Sequence, residues 1–297
     1  MAIPEANLDT WSSIGAIQTS AMTYASVRSA LLAAGTGYEG KVDVYLQGSY
    51  ANHTNIRKES DVDVVVQLTS AFHYDLDALP PDQKDAFRTT YPTNANYAGA
   101  QYKADVLAAL RDAFGGDAQP GSKAISIAGN PNRRKADVIV ATSFKNYSTF
   151  LPGTHGEFVD SICFFKSDGS RIVNFPKKHS ENATIKHQAT GNRYKPMVRI
   201  FKNIRERLYA DNKLAAGTAP SYFIEGLLYN VTNDRFSGSL QDAFLACFDH
   251  LVHADRTQLA CVNMQHWLIR ENQPTSWNDA DCVAFLNAVS QLWNEWA

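Results

Sequence analysis

The sequence predicts an α+β protein, a lobe of mixed sheet and helices followed by a helical lobe. Three observations predict it. Short Val-rich segments of alternating pattern recur up to Phe175, each broken by Gly, Asn or Pro. After Phe175-Pro176 the apolar residues change to helical spacing. The chain has 297 residues, 44% hydrophobic and 20% charged, which is enough for two lobes with sizeable cores. The expected division is 1–175 and 176–297, with the N-terminal helix spanning both.

Residues 8–34 read as one long helix, with Trp11, Ile14, Ile17, Met22, Val27 and Leu31 as its stripe. Val42 to Gln47 alternates as a strand does, and Gly48-Ser49-Tyr50 breaks it. A polar loop follows, through Asn52, His53, Thr54, Asn55, Arg57, Lys58 and Glu59. Asp61 to Leu68 is the clearest strand. Residues 69–100, with Pro80-Pro81 and Pro92, read as an irregular insertion. Residues 101–114 fit an amphipathic helix stopped by Gly115-Gly116. Strands over Ala124–Ala128 and Ala136–Ala141 form a hairpin around Gly129-Asn130-Pro131-Asn132, and a second pair lies at 159–166 and 171–175. Helices are expected at 193–212, 220–231, 239–254 and 278–296, the second opening near Pro220, whose missing N–H costs nothing there. Trp267, Trp277, Trp293 and Trp296 read as core of the helical lobe.

The formal net charge is −2, which argues against a long nucleic-acid partner and favours a small nucleotide. Cys163, Cys247, Cys261 and Cys282 form no close pair, so neither a zinc site nor a disulfide framework is expected. No stretch is apolar enough to span a bilayer, and the start lacks the pattern of a signal peptide. The expected address is the cytoplasm.

The informative unit is Gln47-Gly48-Ser49-Tyr50 followed, after a gap, by Asp61-Val62-Asp63-Val64-Val65-Val66. Alternate residues of a strand share a face, so Asp61 and Asp63 lie opposite Val62, Val64 and Val66. The valine face suits a core. Two carboxylates on the other face repel unless a cation joins them, and Mg²⁺ takes such oxygen ligands together with substrate phosphates. Asp137, the sole acid in Lys135-Ala136-Asp137-Val138-Ile139-Val140, supplies a third carboxylate if its strand is a neighbour. Three carboxylates suffice for two metal ions. Glycine at 48 lets the backbone approach a phosphate, and the Ser49 hydroxyl adds a donor.

These residues resemble the polymerase-beta-like nucleotidyltransferase superfamily. More narrowly, the chain resembles the bacterial CD-NTases, relatives of the animal cyclic GMP-AMP synthase, and among them the CdnE-like clade E. The stretches that carry the likeness are Gln47-Gly48-Ser49-Tyr50-Ala51-Asn52, Ser60-Asp61-Val62-Asp63, Phe175-Pro176-Lys177-Lys178-His179, Met197-Val198-Arg199-Ile200-Phe201-Lys202-Asn203 and Pro220-Ser221-Tyr222-Phe223-Ile224-Glu225.

The resemblance implies an active site in a cleft between the lobes. Asp61, Asp63 and Asp137 would hold two Mg²⁺ or Mn²⁺ ions, and Gln47, Gly48 and Ser49 would bind a nucleoside triphosphate. A ribose hydroxyl attacks the α-phosphate, pyrophosphate leaves, and a second round closes the ring. Lys202, and after it Arg199, would contact the triphosphate, although Lys195, Arg199 and Lys202 at i, i+4, i+7 also fit a solvated basic face. Ser221 would bind terminal phosphates and Tyr222 stack on a base, the alternative being that Ser221 caps the helix and Tyr222 packs in the core. Asn182 would read a uracil edge with its amide, or serve as a cap.

The implied product is a cyclic dinucleotide containing a pyrimidine, made from UTP, ATP or both by a monomer. It would be a second messenger for a separate effector in antiphage defence of the CBASS kind. Two other readings stay open on the residues: an RNA-tailing, small-molecule or protein nucleotidyltransferase, and a nucleotide-binding scaffold without turnover.

Overall fold

The computed structural model describes residues 2–15, 18–33, 35–58, 61–93, 95, 97 and 99–296. Ile17, Glu59 and Ser60, which enter the sequence reading above, lie outside the described residues. The chain divides into two compact units. A helical unit comprises Met1–Ile17, Gly48–Ser60 and Lys178–Ala297, and a sheet unit comprises Gln18–Gln47 and Asp61–Lys177. The boundary expected at 175/176 thus falls at 177/178, and segments 1–17 and 48–60 belong with the helices rather than with the sheet.

The single helix expected over 8–34 is two, α1 (Glu5–Ser12) and α2 (Gln18–Leu31). Gly15 accounts for the interruption. Its N–H bonds the Asn55 carbonyl at 3.0 Å, and a Cβ there would meet the Ile56 carbonyl carbon at 2.6 Å. Of the expected stripe, Val27 and Leu31 are buried while Ile14 and Met22 are exposed.

The sheet unit is built on β1 (Val42–Leu46), β2 (Val62–Asp75), β3 (Ala118–Pro120), β4 (Ile125–Ile127), β5 (Ala136–Thr149), β6 (Glu157–Phe165) and β7 (Arg171–Asn174). The strand order is β1-β2-β5-β4-β3, with β6 pairing both β5 and β7. The β2–β5 pair is parallel and the other pairs are antiparallel. The two hairpins expected from sequence are present, and β2 runs seven residues beyond the expected end at Leu68.

That extension occupies part of the stretch expected to be irregular. The same stretch also contains a helix, Pro81–Thr90, with Pro80 at its N-cap and Pro81 in its first turn. Prolines that suggested a loop here start a helix, because position N1 needs no N–H. Phe87 of this helix packs with Leu79, Tyr147 and Phe150.

The strand parity works as the sequence requires. Val62, Val64, Val66, Ala136 and Val138 share one face and pack against Val27 and Leu31 of α2 and Tyr102, Val106 and Leu110 of the helix Ala100–Phe114. Burying each such aliphatic side chain contributes about 1.5–3 kcal/mol. The opposite face carries the acids and a smaller apolar cluster of Val65, Ala141, Ile162 and Phe164.

The short helix α3 (Gly48–Ala51) belongs to the helical unit. The helices Pro81–Thr90 and Ala100–Phe114 are α4 and α5, and the rest are α6 (Pro176–Ala189), α7 (Tyr194–Ala210), α8 (Ser221–Tyr229), α9 (Leu240–His253) and α10 (Asp279–Asn294). Ile200, Phe201 and Ile204 of α7 meet Ile224 and Leu228 of α8, Phe244 of α9 and Phe285 of α10 in one core. Trp277 and Trp293 are buried there, whereas Trp267 is exposed beneath the Arg270 guanidinium, 4.5 Å from its ring centre. All four cysteines are buried and free. No helix among the described residues is long and apolar enough to cross a membrane.

Candidate active site

In the sheet unit, Asp63 of β2 and Asp137 of β5 are direct partners in the parallel register. Paired residues of adjacent parallel strands point to the same side, with strands about 4.8 Å apart. Asp61 immediately precedes β2 and shares the parity of Asp63. The three carboxylates named from sequence are therefore brought to one end of one sheet face. Gln47 follows β1, and its N–H bonds the Asp63 carbonyl at 3.0 Å, so the end of β1 is registered against the acidic strand.

A cation joins two of these acids. Lys135 Nζ lies 2.7 Å from Asp61 Oδ2 and 3.2 Å from Asp137 Oδ2. The hydrogen bond to Asp61 raises the Lys135 pKa against the effect of burial, and Asp137 adds to the rise. The lysine is delivered by a tightly held turn. Its carbonyl accepts from Val62 N at 2.9 Å, the Arg134 N–H bonds Thr23 Oγ1 at 3.0 Å, and Arg133 pairs with Asp117 at 2.6 Å.

Among the described residues, no three His, Cys, Asp or Glu side chains close around a common point that a metal would fill. The donor chemistry still fits Mg²⁺ or Mn²⁺. The donors are hard carboxylate oxygens, one ammonium already shares two of them, and Mg²⁺ keeps waters and substrate phosphates for its remaining positions.

The other candidates lie in the helical unit. Gly48 has φ +67°, which glycine adopts without strain. The turn that follows closes on itself, with Asn52 N bonded to the Gly48 carbonyl at 3.1 Å and Thr54 N to the Ser49 carbonyl at 2.9 Å. Ser221 is the first residue of α8, and its Oγ accepts from Arg205 Nη1 at 2.9 Å. Tyr222 is half-buried, its ring 5.3 Å from that of His179, and its hydroxyl accepts from Asn263 Nδ2 at 3.0 Å.

Three expected nucleotide contacts have packing roles. Lys202 is fully buried and donates to the Thr54 carbonyl at 2.9 Å. Arg199 is buried and donates to the carbonyls of Ser12 and His53. With Lys195 also buried, the basic stripe is not a solvated face: Arg199 and Lys202 hold the 53–54 backbone and the end of α1, and Lys195 donates to Thr184 Oγ1 at 3.4 Å. Asn182, 8% exposed, gives its amide donor to the Val262 carbonyl at 2.8 Å. That bond uses one of the two N–H groups of the amide, and the second N–H is the donor with which Asn182 would meet a base edge.

Residues 181–294 match the family model of the cGAS/DncV-like nucleotidyltransferase C-terminal helical domain. A cyclic UMP-AMP synthase of Rhodothermus marinus is 37% identical over all of this chain and 99% of its own length. The chain belongs to the CD-NTase family. A cyclic dipurine nucleotide synthase of Elizabethkingia meningoseptica is 36% identical over 86% of each chain. The structure of the Rhodothermus marinus CdnE c-UMP-AMP synthase with Apcpp and Upnpp superposes with a TM-score of 0.87, at 35% identity, over 99% of this chain and 98% of that one. This CD-NTase is thus a nucleotidyltransferase of the cyclic nucleotide synthase type.

The sequence reading of this CD-NTase missed the buried acid that organises the helical-unit residues. Glu225 of α8 accepts from Thr54 Oγ1 at 2.6 Å and Asn52 Nδ2 at 3.2 Å, and His179 Nε2 lies 2.7 Å away. Tyr194 donates to the Glu225 carbonyl at 2.8 Å. Burial alone would raise the Glu225 pKa, but His179, Lys202 and the Thr54 hydroxyl hold it down at about 2. The available signal was an acid inside the apolar helix Ser221–Tyr229, where a charge is costly unless paired.

Proposed function

We propose that the chain joins nucleoside triphosphates into a cyclic dinucleotide with release of pyrophosphate, and that Asp61, Asp63 and Asp137 hold two Mg²⁺ or Mn²⁺ ions for this reaction. The observation that carries the reading is the register of Asp63 against Asp137 with Asp61 on the same side. When bound, such ions lower the pKa of the attacking ribose hydroxyl and offset charge on the phosphates. The protein supplies carboxylates already fixed by a paired sheet, so little reorganisation is needed when substrate arrives.

In the helical unit, the Gly48-Ser49 turn and the N-terminus of α8 at Ser221 offer N–H and hydroxyl donors to a triphosphate. Tyr222 offers a stacking face to any base. Lys202 and Arg199 act on this turn indirectly, by holding its carbonyls. The likeness to a cyclic UMP-AMP synthase supports a product with at least one pyrimidine, such as cyclic UMP-AMP or cyclic UMP-UMP. By resemblance to clade E, the product is a messenger for a separate effector in antiphage defence, made by a monomer in the cytoplasm.

The test is incubation of the purified chain with all four α-labelled NTPs and Mg²⁺ or Mn²⁺. The reading expects a small, phosphatase-resistant product with the mass of a cyclic dinucleotide containing UMP. A lengthened oligonucleotide primer in its place would point to a tailing enzyme.

A further inference from the structure

The Lys135 ammonium stands between Asp61 and Asp137, two of the three groups read above as metal ligands. The three side chains are 44%, 44% and 30% exposed, so the contact lies open to water and ions. The backbone beneath it is not free to move away. Lys135 O is bonded to Val62 N at the first rung of the parallel pair, and the hairpin turn before it is pinned through Arg133 and Arg134. At Gly129, where that turn begins, an added Cβ would lie 2.9 Å from Lys135 N. The lysine is thus carried on a rigid mount, while its own four-carbon stem can rotate.

We propose that Lys135 is an internal counter-cation that competes with the divalent metal for Asp61 and Asp137, and so sets how much metal the chain needs. This rests on the reading of the three aspartates as metal ligands. An ammonium at 2.7 Å from Asp61 Oδ2 and a divalent ion on the same oxygen would repel each other strongly. Metal binding must therefore swing the lysine out, and the cost of breaking its two contacts is subtracted from metal affinity. Without metal, the same ammonium relieves the repulsion among the clustered carboxylates, which lets the sheet end form before ligands arrive. The lysine acts here as a positioning residue and not as a reactant.

The experiment measures Mn²⁺ binding to the full chain without nucleotide, by calorimetry or by the electron paramagnetic resonance signal of free Mn²⁺. Lys135→Met keeps the stem and removes the charge. It is expected to bind Mn²⁺ tighter than the wild type by a factor of about three to ten, the range of two exposed ion pairs. Lys135→Ala should give the same shift, and Lys135→Arg should restore wild-type affinity. Unchanged or weaker Mn²⁺ binding in both neutral variants overturns the competition, provided Asp61→Asn combined with Asp137→Asn still abolishes binding. If that acidic double variant binds Mn²⁺ as the wild type does, the metal reading itself falls and the proposal with it.

Discussion

Asp63 and Asp137 gain their meaning from their neighbours Val62 and Val138, which are fully buried on the other side of the sheet. The valines fix the register, and the register fixes the carboxylates. Asp63→Asn and Asp137→Asn should each lower turnover by about a hundredfold or more while leaving thermal unfolding nearly unchanged. Wild-type turnover in either variant would contradict the assignment. Lys202 carries a different expectation. Because its ammonium is buried on the Thr54 carbonyl, Lys202→Met should cost about 2 kcal/mol in denaturant unfolding. A residue that served only the triphosphate would raise KM and leave stability alone. Gly48→Ala should cost about 1–2 kcal/mol by the same measurement, since φ there is +67°.

At the scale of elements, the sheet was largely readable and the surroundings of the candidate residues were not. Alternation and turn residues located β1, β2, β4, β5, β6 and β7, because period two and a Gly-Asn-Pro-Asn turn are local signals. The break between α1 and α2 was not local. It follows from Gly15 meeting Ile56, a residue 41 positions later in the sequence, and apolar spacing cannot report such a contact. Gly15→Ala should force this junction apart and lower the thermal midpoint of the helical unit; an unchanged midpoint would show that the backbone there yields. The site divided in the same way. The placement of the acids on one sheet face, and of a turn at Gly48-Ser49, was legible because spacing and parity are written in adjacent residues. The backbone carbonyls that Lys202, Arg199 and Asn182 bond were not legible, because helical spacing shows which residues share a face and not what lies opposite that face. Lys135 went unremarked because a lysine one residue before a strand reads as an ordinary surface charge.

At the scale of the whole molecule, acid should act on the helical unit through groups with depressed pKa values, among them His187 and the buried Glu225. Burial, reinforced by Lys195, Arg199 and His53, lowers the His187 pKa to about 4, below the value near 6.5 of an unfolded chain. Glu225 sits at about 2, below an unfolded value of about 4.3. Both folded values are depressed, so each contribution is complete above the unfolded value and is lost as pH falls through the folded one. Stability should therefore hold from neutral pH down to about 6.5, decline towards 4 as His187 is forced to protonate, and fall again between about 4 and 2 as Glu225 does. Glu225→Gln should flatten the second decline in an acid titration followed by circular dichroism. An unaltered decline would remove Glu225 from the account.

The central claim is that the three aspartates of this CD-NTase serve cyclic dinucleotide synthesis. The most direct measurement is mass spectrometry of the product formed from four mixed NTPs by the wild type and by an Asp61→Asn, Asp63→Asn double variant. The account predicts a cyclic dinucleotide containing UMP from the wild type and none from the variant. The same product from both proteins, or only linear extension products from the wild type, would contradict it.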